Sequence, residues 1–530
     1  MHNKNRTEMP ARVDVLIVGF GPVGAALATL LGRYHVNALV IDMRHDILRM
    51  PRAIALDNEA LRLLQLIGLA EDAFDKVVIP EVKMHCPVLG QFSRANTSGS
   101  LDGHPKLVTF YQPDLENALR TRLCEHPSVT VRTGYQLLDV RQHADHVQAF
   151  LADEQGQPLT VEARYLVGAD GAGSRVRTLI GQAFTGKTFA EDWLIIDANR
   201  RENLAIDHVE FLCDHRRPTP HMPAPGGRER WEFMLMPGET RETMEHPQRI
   251  AELLAPWVKA DELSIERTAV YRFHARCCTR FQNGRIFLVG DAAHITPPFV
   301  GQGLVAGLRD VCNLGWKLAW VLNHRAAPAI LDSYDQERRP HAKQMINLAK
   351  LMGRAVMPRN ALLAVLIHGV LKTMTLFPPA RRLFEELEIK PGNQFKQGLF
   401  MQKAPRGVLA GGSLLPQSLV RDPARNIVLS DDALGVQLTL IGFGCDPLQH
   451  LDATSRERWQ AHGGNFLQIV QRGQHGSAQT PWVEDLSGEL LKRMPAQSLL
   501  AVRPDRVIMH SAPATQAAGL LNACMALMQD

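Results

Sequence analysis

The run VDVLIVGFGPVGAALATLLGRYHVNALVIDM, Val13 to Met43, limits the possible folds more than any other stretch. Gly19, Gly21 and Gly24 are spaced G-x-G-x-x-G between the apolar run Val13 to Val18 and the small-residue run Ala25 to Leu31. A second apolar run, Val36 to Ile41, ends in Asp42. Strand, glycine turn, helix, strand and acid, in that order, make a dinucleotide-binding unit. Gly19 allows the tight turn, Gly21 lets the backbone approach a pyrophosphate, and Gly24 lets helix and strand pack closely. The helix N-terminus offers unpaired N–H groups to phosphate, and Asp42 can accept both hydroxyls of an adenosine ribose. Val15 to Gly32 carries no charge over eighteen residues and has the length of a membrane span. That reading must place Pro22 and four glycines inside the span and continue it into a second strand. It is the poorer account.

With 530 residues the chain is too long for one ordinary core, and two or three domains are expected. The net charge of +4 is spread without a basic tract, which argues against nucleic acid or an acidic membrane as partner. The N-terminal MHNKNRTEMPAR lacks the apolar core of a secretory signal. None of the eight cysteines forms C-x-x-C, and only Cys277 and Cys278 are close. Neither a metal site nor a redox dithiol is expected, and reduced thiols in the cytoplasm are the default.

Asp57 is placed to cap a helix with Leu61, Leu64 and Ile67 at helical spacing. Pro80 to Pro105 reads as an irregular, polar excursion. A helix starting near Pro113 is followed by a strand at Val129 to Thr133. Val147 to Leu151 and Val161 to Val167 look like paired strands. Phe189 to Glu210, Trp231 to Met236 and Leu263 to Phe273 suggest a mostly antiparallel sheet. Pro378-Pro379 and the polar, glycine-rich Lys390 to Gly412 mark a linker. Val436 to Phe443, Asn465 to Val470 and Leu499 to Met509 then suggest a small separate α/β domain.

Two further segments extend the nucleotide reading to a flavin. YLVGADGAGSRVR puts Asp170 and Gly171 at a strand end, followed by Ser174 and Arg175. IFLVGDAAHITPPFVGQGLVAGLRD puts Asp291 after a strand, then prolines, then Gly301-Gln302-Gly303 opening a long helix. Asp291 can hold a ribityl hydroxyl of FAD. Backbone N–H groups from Gly301 through Gly303 to Leu304 can face the pyrimidine edge of the isoalloxazine, where a helix N-terminus favours the anionic reduced flavin.

Together these motifs resemble the single-component class A flavoprotein aromatic hydroxylases. PRAIALDNEALR, FMLMPGET, DSYDQERRPHAK and VRPDR resemble the branch with 3-(3-hydroxyphenyl)propionate and phenol hydroxylases. The resemblance implies an α/β (α+β) fold of the para-hydroxybenzoate-hydroxylase type. A Rossmann-like FAD domain (1–80, 105–185 and 280–395) would interleave with a mostly antiparallel substrate sheet (81–104 and 186–279). A thioredoxin-like C-terminal domain without redox cysteines would occupy 400–530. By the same resemblance Arg52 and Gln112 are flavin contacts, and Asp170 belongs to the segment near the pyrophosphate and reductant. Asp42 stands where many relatives carry Glu, a shorter reach to the same ribose.

The implied reaction reduces FAD with NADH or NADPH, forms a flavin C4a-hydroperoxide with O2, and hydroxylates a phenolic ring. Tyr271 and His274 are candidates for the base or acceptor that activates the phenol. Pro298, with Pro297, would fix the loop beside the isoalloxazine. No second glycine fingerprint exists, so the nicotinamide is expected to dock transiently. Plainer roles stand beside these: Asp170 as a turn cap, His294 as a turn-stabilising residue, and Arg309, Asn313 and Lys317 as a solvated helical stripe, above all Lys317. A flavin oxidase or dehydrogenase and a non-catalytic redox sensor are the rival functions. A halogenase would need W-x-W-x-I-P, and Trp193 has no tryptophan two residues on. Whether the chain forms a homodimer stays open.

Overall fold

The computed structural model describes residues 9–48, 53–200, 206–259, 262–358, 360–385, 390–401 and 409–529. Its first sheet is centred on the strand Arg12–Val18, flanked by Ala38–Asp42 and then Val129–Thr133, all parallel. On the other side lies the long strand Pro158–Gly168. Its C-terminal part pairs in parallel with Ile286–Leu288, while its N-terminal part pairs antiparallel with Val147–Ala152. Residues 15–18 and 38–41 are buried, as expected of parallel strands covered on both faces. One cover is the helix Pro22–Arg33, with proline at its first turn, and another is the long helix Gly303–Leu322. The uncharged run that could pass for a membrane span is thus a buried strand, a turn and a core helix. Among the described residues no single helix is long and apolar enough to cross a membrane, although one bent pair, Pro328–Val356 with Ala361–Met374, passes on length and composition.

A second, eight-stranded sheet runs in the order His294–Ile295, Leu263–Cys278, Phe184–Arg200, Arg228–Met234, Thr219–Ala224, Val209–Leu212, Glu81–Cys86, Gly90–Asn96. Neighbours are antiparallel except Val209–Leu212 beside Glu81–Cys86. The segment read as irregular, Pro80 to Pro105, therefore contributes a hairpin to this sheet. Glu81–Cys86 alternates polar and apolar residues, and the polar Gly90–Asn96 forms the sheet's edge. Strand periodicity gives the sheet two faces. Leu194, Ile196, Ala198, Trp231 and Phe233 pack on one face under the helix Pro247–Leu254. Trp193, Met234, Phe273 and Phe299 cluster on the other, together with Met352 and Met357.

The C-terminal part carries a seven-stranded sheet, parallel from Leu438–Phe443 through Gly464–Gln471 to Trp482–Asp485, and antiparallel from Leu438–Phe443 through Ser498–Val502 to Ile508–Pro513. Leu499 to Met509, read as one strand, is two strands with a turn. One face has its own core, including Ile441, Phe443 and Leu500. The other face, with Leu438 and Leu440, belongs with Cys524 of the helix Ala517–Gln529 to the same core as the first sheet. The C-terminal unit thus has a core of its own and packs one face against the first sheet's core.

Two more expectations change here. Pro378 opens the helix Pro378–Glu385, because proline suits a first helical turn. Residues 390–401 are tied down: Lys390 bridges Asp57 at 2.5 Å, and the Leu399 N–H donates to Glu337 at 2.8 Å. Lys317 is not solvated at all; it is 0% exposed. Its ammonium donates to Asn313 Oδ1 at 2.8 Å and to Glu337 Oε2 at 2.9 Å, and Glu337 is also clasped by Arg503 at 2.7 and 2.9 Å.

Candidate active site

The glycine turn closes as expected. Gly19 has φ +106°, which suits glycine, and a Cβ on Gly24 would run into the Gly19 carbonyl. Gly21 differs: its φ is −72°, and a Cβ there would meet nothing within 4 Å. The helix it precedes has no side-chain cap, so no side chain takes up its first N–H groups. Asp42 ends its strand with Oδ2 accepting from the Phe20 N–H at 2.7 Å and Oδ1 from the Arg44 N–H at 2.8 Å. Two amides fix the carboxylate, and each oxygen retains a lone pair for a ribose hydroxyl. Arg120, which sequence reading missed, lies 4.3 Å over the Phe20 ring and donates to the Phe20 carbonyl at 2.8 Å. Its i,i+4 partner Glu116 was the available signal.

Gln112 begins the helix Gln112–Leu123, and its Oε1 accepts from the Ala53 N–H at 3.0 Å. It thereby anchors the chain next to 49–52. Arg52 itself, with Pro51, lies outside the described residues. Asp170 caps the helix Arg175–Leu179: its carboxylate accepts from Ser174 Oγ at 2.5 Å and from the Arg175 and Val176 N–H groups at 2.7 and 3.1 Å. Burial nevertheless leaves its carboxyl above the usual range. The capping role is the one its side chain performs. The segment also packs on the glycine turn, since a Cβ on Gly19 would come within 2.5 Å of the Ala169 carbonyl.

At the other end Asp291 is half-buried in a short 3-10 turn, Gly290–Ala292. His294 is buried, its Nε2 2.7 Å from Asp310, which also takes the Gly290 N–H at 3.0 Å. That is the turn-stabilising role. Pro297 leads into the turn Pro298–Val300, Gly301 follows with φ +61°, and Gly303 opens the long helix with half-buried Leu304 behind it. Gln302 donates to Asp57 at 2.8 Å.

Facing this loop is the aromatic side of the second sheet. Phe299 lies 6.1 Å from Trp193 and 6.0 Å from Phe273. Further along the same face, Asp197 is gripped by Arg230 at 2.6 Å and Arg267 at 3.0 Å, and Arg267 also donates to the Tyr271 hydroxyl at 2.8 Å. Glu232, two residues from Arg230 and opposite Ile195, shares that face. Tyr271 is therefore on the loop-facing side, in the same row as Phe273. His274 points the other way by strand alternation, with Nδ1 3.1 Å from Thr188 Oγ1. The structure brings Tyr271 and Pro298 to one side of the sheet and leaves His274 on the opposite side.

These residues suit FAD. Space is left at Gly21 where neither φ nor packing calls for glycine. Thr296 Oγ1 and Gln302 Oε1, on either side of the proline loop, are buried without a hydrogen-bond partner. Buried polar atoms are rarely left so unless a ligand or water completes them. Among the described residues no cluster of His, Cys, Asp and Glu could hold a metal ion.

Comparison with known proteins agrees. A family model described as an FAD binding domain matches residues 12–349, and an HcaD C-terminal domain model matches 412–527. The 3-(3-hydroxy-phenyl)propionate/3-hydroxycinnamic acid hydroxylase 2 of Burkholderia vietnamiensis (strain G4 / LMG 22486) is 35% identical, over 98% of this chain and 96% of its own. The chain belongs to the FAD-dependent aromatic hydroxylases. An Escherichia coli 3-(3-hydroxy-phenyl)propionate/3-hydroxycinnamic acid hydroxylase (strain E24377A) is 34% identical, over 94% of this chain and 92% of its own. Among solved structures, the flavin-dependent monooxygenase PieE with FAD and substrate matches at TM-score 0.82, with 21% identity over 98% of this chain and 100% of its own. The OxyS anhydrotetracycline hydroxylase of Streptomyces rimosus matches at 0.77, with 25% identity over 97% and 98%. The chain is an FAD-dependent monooxygenase, and the oxidase and redox-sensor alternatives fall away.

Proposed function

We propose that the enzyme uses NADH or NADPH and O2 to hydroxylate the ring of a phenol, and that the phenol carries a short acidic side chain, as in the names of its relatives. The observation that carries this is the wall of Trp193, Phe273, Phe299 and Met234 set against the loop Pro297 to Gly301. When bound, FAD supplies the electron transfer from the nicotinamide and the activation of dioxygen. The chain does the rest. Gly19, Gly21 and Gly24 would admit the pyrophosphate, Asp42 would hold the ribose, and Asp291 would hold a ribityl hydroxyl. Gly301, Gly303 and Leu304 would present N–H groups to the isoalloxazine, and Gln112, Arg52 and the Asp170 segment would add further FAD contacts. Pro298 stiffens the loop, and the aromatic wall orients the ring and excludes water. Tyr271, held by Arg267, positions the substrate; the orientation of His274 suits a supporting role on the outer face. A cytoplasmic setting and a homodimer belong to the same proposal, the latter checked by sedimentation.

The test is anaerobic flavin reduction by NADH and by NADPH, in stopped flow, across phenol, 3-(3-hydroxyphenyl)propionate and hydroxylated heteroaromatics. At least one phenol should accelerate reduction and appear as a hydroxylated product in air. If none accelerates reduction and none is hydroxylated, the phenolic reading is wrong.

A further inference from the structure

Among the described residues Glu232 makes no hydrogen bond and no ion pair, yet only 7% of it is exposed. Its oxygens are not among the sealed, unpartnered polar atoms, so a largely buried carboxylate on the loop-facing side stays open to a donor from outside the chain. It sits in the strand Arg228–Met234 between Arg230 and Met234 on the loop-facing side, opposite Ile195 of the neighbouring strand. The charged and titratable groups around it are Arg230 on its own strand, Asp197 on one neighbour, and Arg267 and Tyr271 on the next strand beyond. His221 and Glu229 pair with each other on the opposite face.

The two guanidiniums are already turned toward Asp197. What the face lacks is a donor for Glu232, and a phenolic O–H is one. We propose that Glu232 is the catalytic residue that takes the proton of the substrate's hydroxyl. The O–H bond breaks with its electron pair left on the phenolate oxygen, and the proton bonds to a Glu232 oxygen. Arg230 and Arg267 favour the negative charge thus created, and the electron-rich ring is the better nucleophile. When the product forms, the proton returns to its hydroxyl. Burial raises the Glu232 carboxyl to about 7, against the pull of Arg230, so it exchanges a proton near neutrality.

This inference rests on the proposed function, and the experiment separates the two. Wild-type holoenzyme and Glu232→Gln are compared with 3-(3-hydroxyphenyl)propionate as substrate and 4-nitrophenol as a colour probe of the bound ionisation state. In the variant FAD affinity should be unchanged. Product formed per NAD(P)H oxidised should fall at least tenfold, bound 4-nitrophenol should shift towards its neutral form, and the rise in coupled turnover with pH through about 7 should disappear. Glu232→Asp should restore part of the coupling, which a purely structural role would not require. Coupling within twofold of wild type with the pH rise intact overturns the proposal. So does a variant that only gains affinity for the carboxylate-bearing ligand, which would make the pocket an anion site. If wild type hydroxylates no phenol at all, the functional reading fails and takes this assignment with it.

Discussion

At the scale of single residues, Gly21 is the cleanest mark of a ligand in the molecule. Its backbone is ordinary and no protein atom needs the missing Cβ. Gly21→Val should therefore leave circular dichroism and thermal unfolding of the cofactor-free protein unchanged while abolishing FAD retention; tight FAD binding by the variant would place the pyrophosphate elsewhere. Asp42→Ala should weaken FAD binding by on the order of 1–3 kcal/mol in fluorescence titration, the worth of a charge-assisted contact. Glu232 makes a prediction for stability as well. Its folded carboxyl is raised by burial from 4.5 to about 7, so the native state binds the proton more tightly than the unfolded chain. Stability is thus fullest below the unfolded value and is lost as pH rises through the folded one. Glu232→Gln removes that loss, and by about pH 8 the variant should unfold later than wild type, by up to about 3 kcal/mol in denaturant titrations. Equal pH slopes for both proteins would contradict it. The glycine turn and Asp42 were legible because the fingerprint fixes the spacing of strand, glycines, helix and acid along the chain, and the Asp57 cap because it joins residues three apart. Glu232 was not. In RERWEF the charges alternate, which from sequence alone reads as a solvated strand face. Only partners on strands more than thirty residues away turn that face inward.

The same ambiguity recurs along whole elements. Arg309, Asn313 and Lys317 form a polar stripe on the helix Gly303–Leu322, and polar stripes normally face water. Here the helix is buried all round. Arg309 pairs with Glu59 from one side, and Asn313 and Lys317 reach Glu337 from another. Those partners come from distant segments, and no local pattern announces them. Burial lowers the Lys317 ammonium to about 8, yet Glu337 keeps it paired. Removing one member of a buried ionic group strands the others, so Lys317→Ala should cost about 3–5 kcal/mol in urea unfolding. A cost below about 1 kcal/mol would mean that the stripe tolerates water after all. The hairpin of Glu81–Cys86 and Gly90–Asn96 was missed for a related reason: its outer strand is a polar edge strand, and its inner one pairs with Val209–Leu212, more than a hundred residues on. By contrast, the parallel strands of the first sheet were legible to within three residues, because burial on both faces leaves continuous apolar runs.

For the molecule as a whole, the C-terminal sheet is an integral part of the core. Its inner face shares that core with Trp316 and Trp320 of the long helix, and the Trp320 indole donates to the His462 carbonyl at 2.8 Å. A chain ended near Phe400 would expose this surface. It should accumulate as insoluble or rapidly proteolysed material, and a soluble, FAD-loaded fragment with normal thermal stability would refute that. The sequence suggested a small separate α/β domain because composition changes around Lys390 to Gly412; the packed face involves residues too far apart for composition to register. The clasp of Arg503 on Glu337 has a consequence for how such chains can be recombined. A crossover placed in the apparent linker exchanges Arg503 and Asp505 but keeps Lys317 and Glu337, which lie before it. Chimeras between relatives would then inherit two halves of one ionic lock from different parents. Those that survive should be the ones whose parents agree at these four positions, whatever the overall similarity of the segments exchanged.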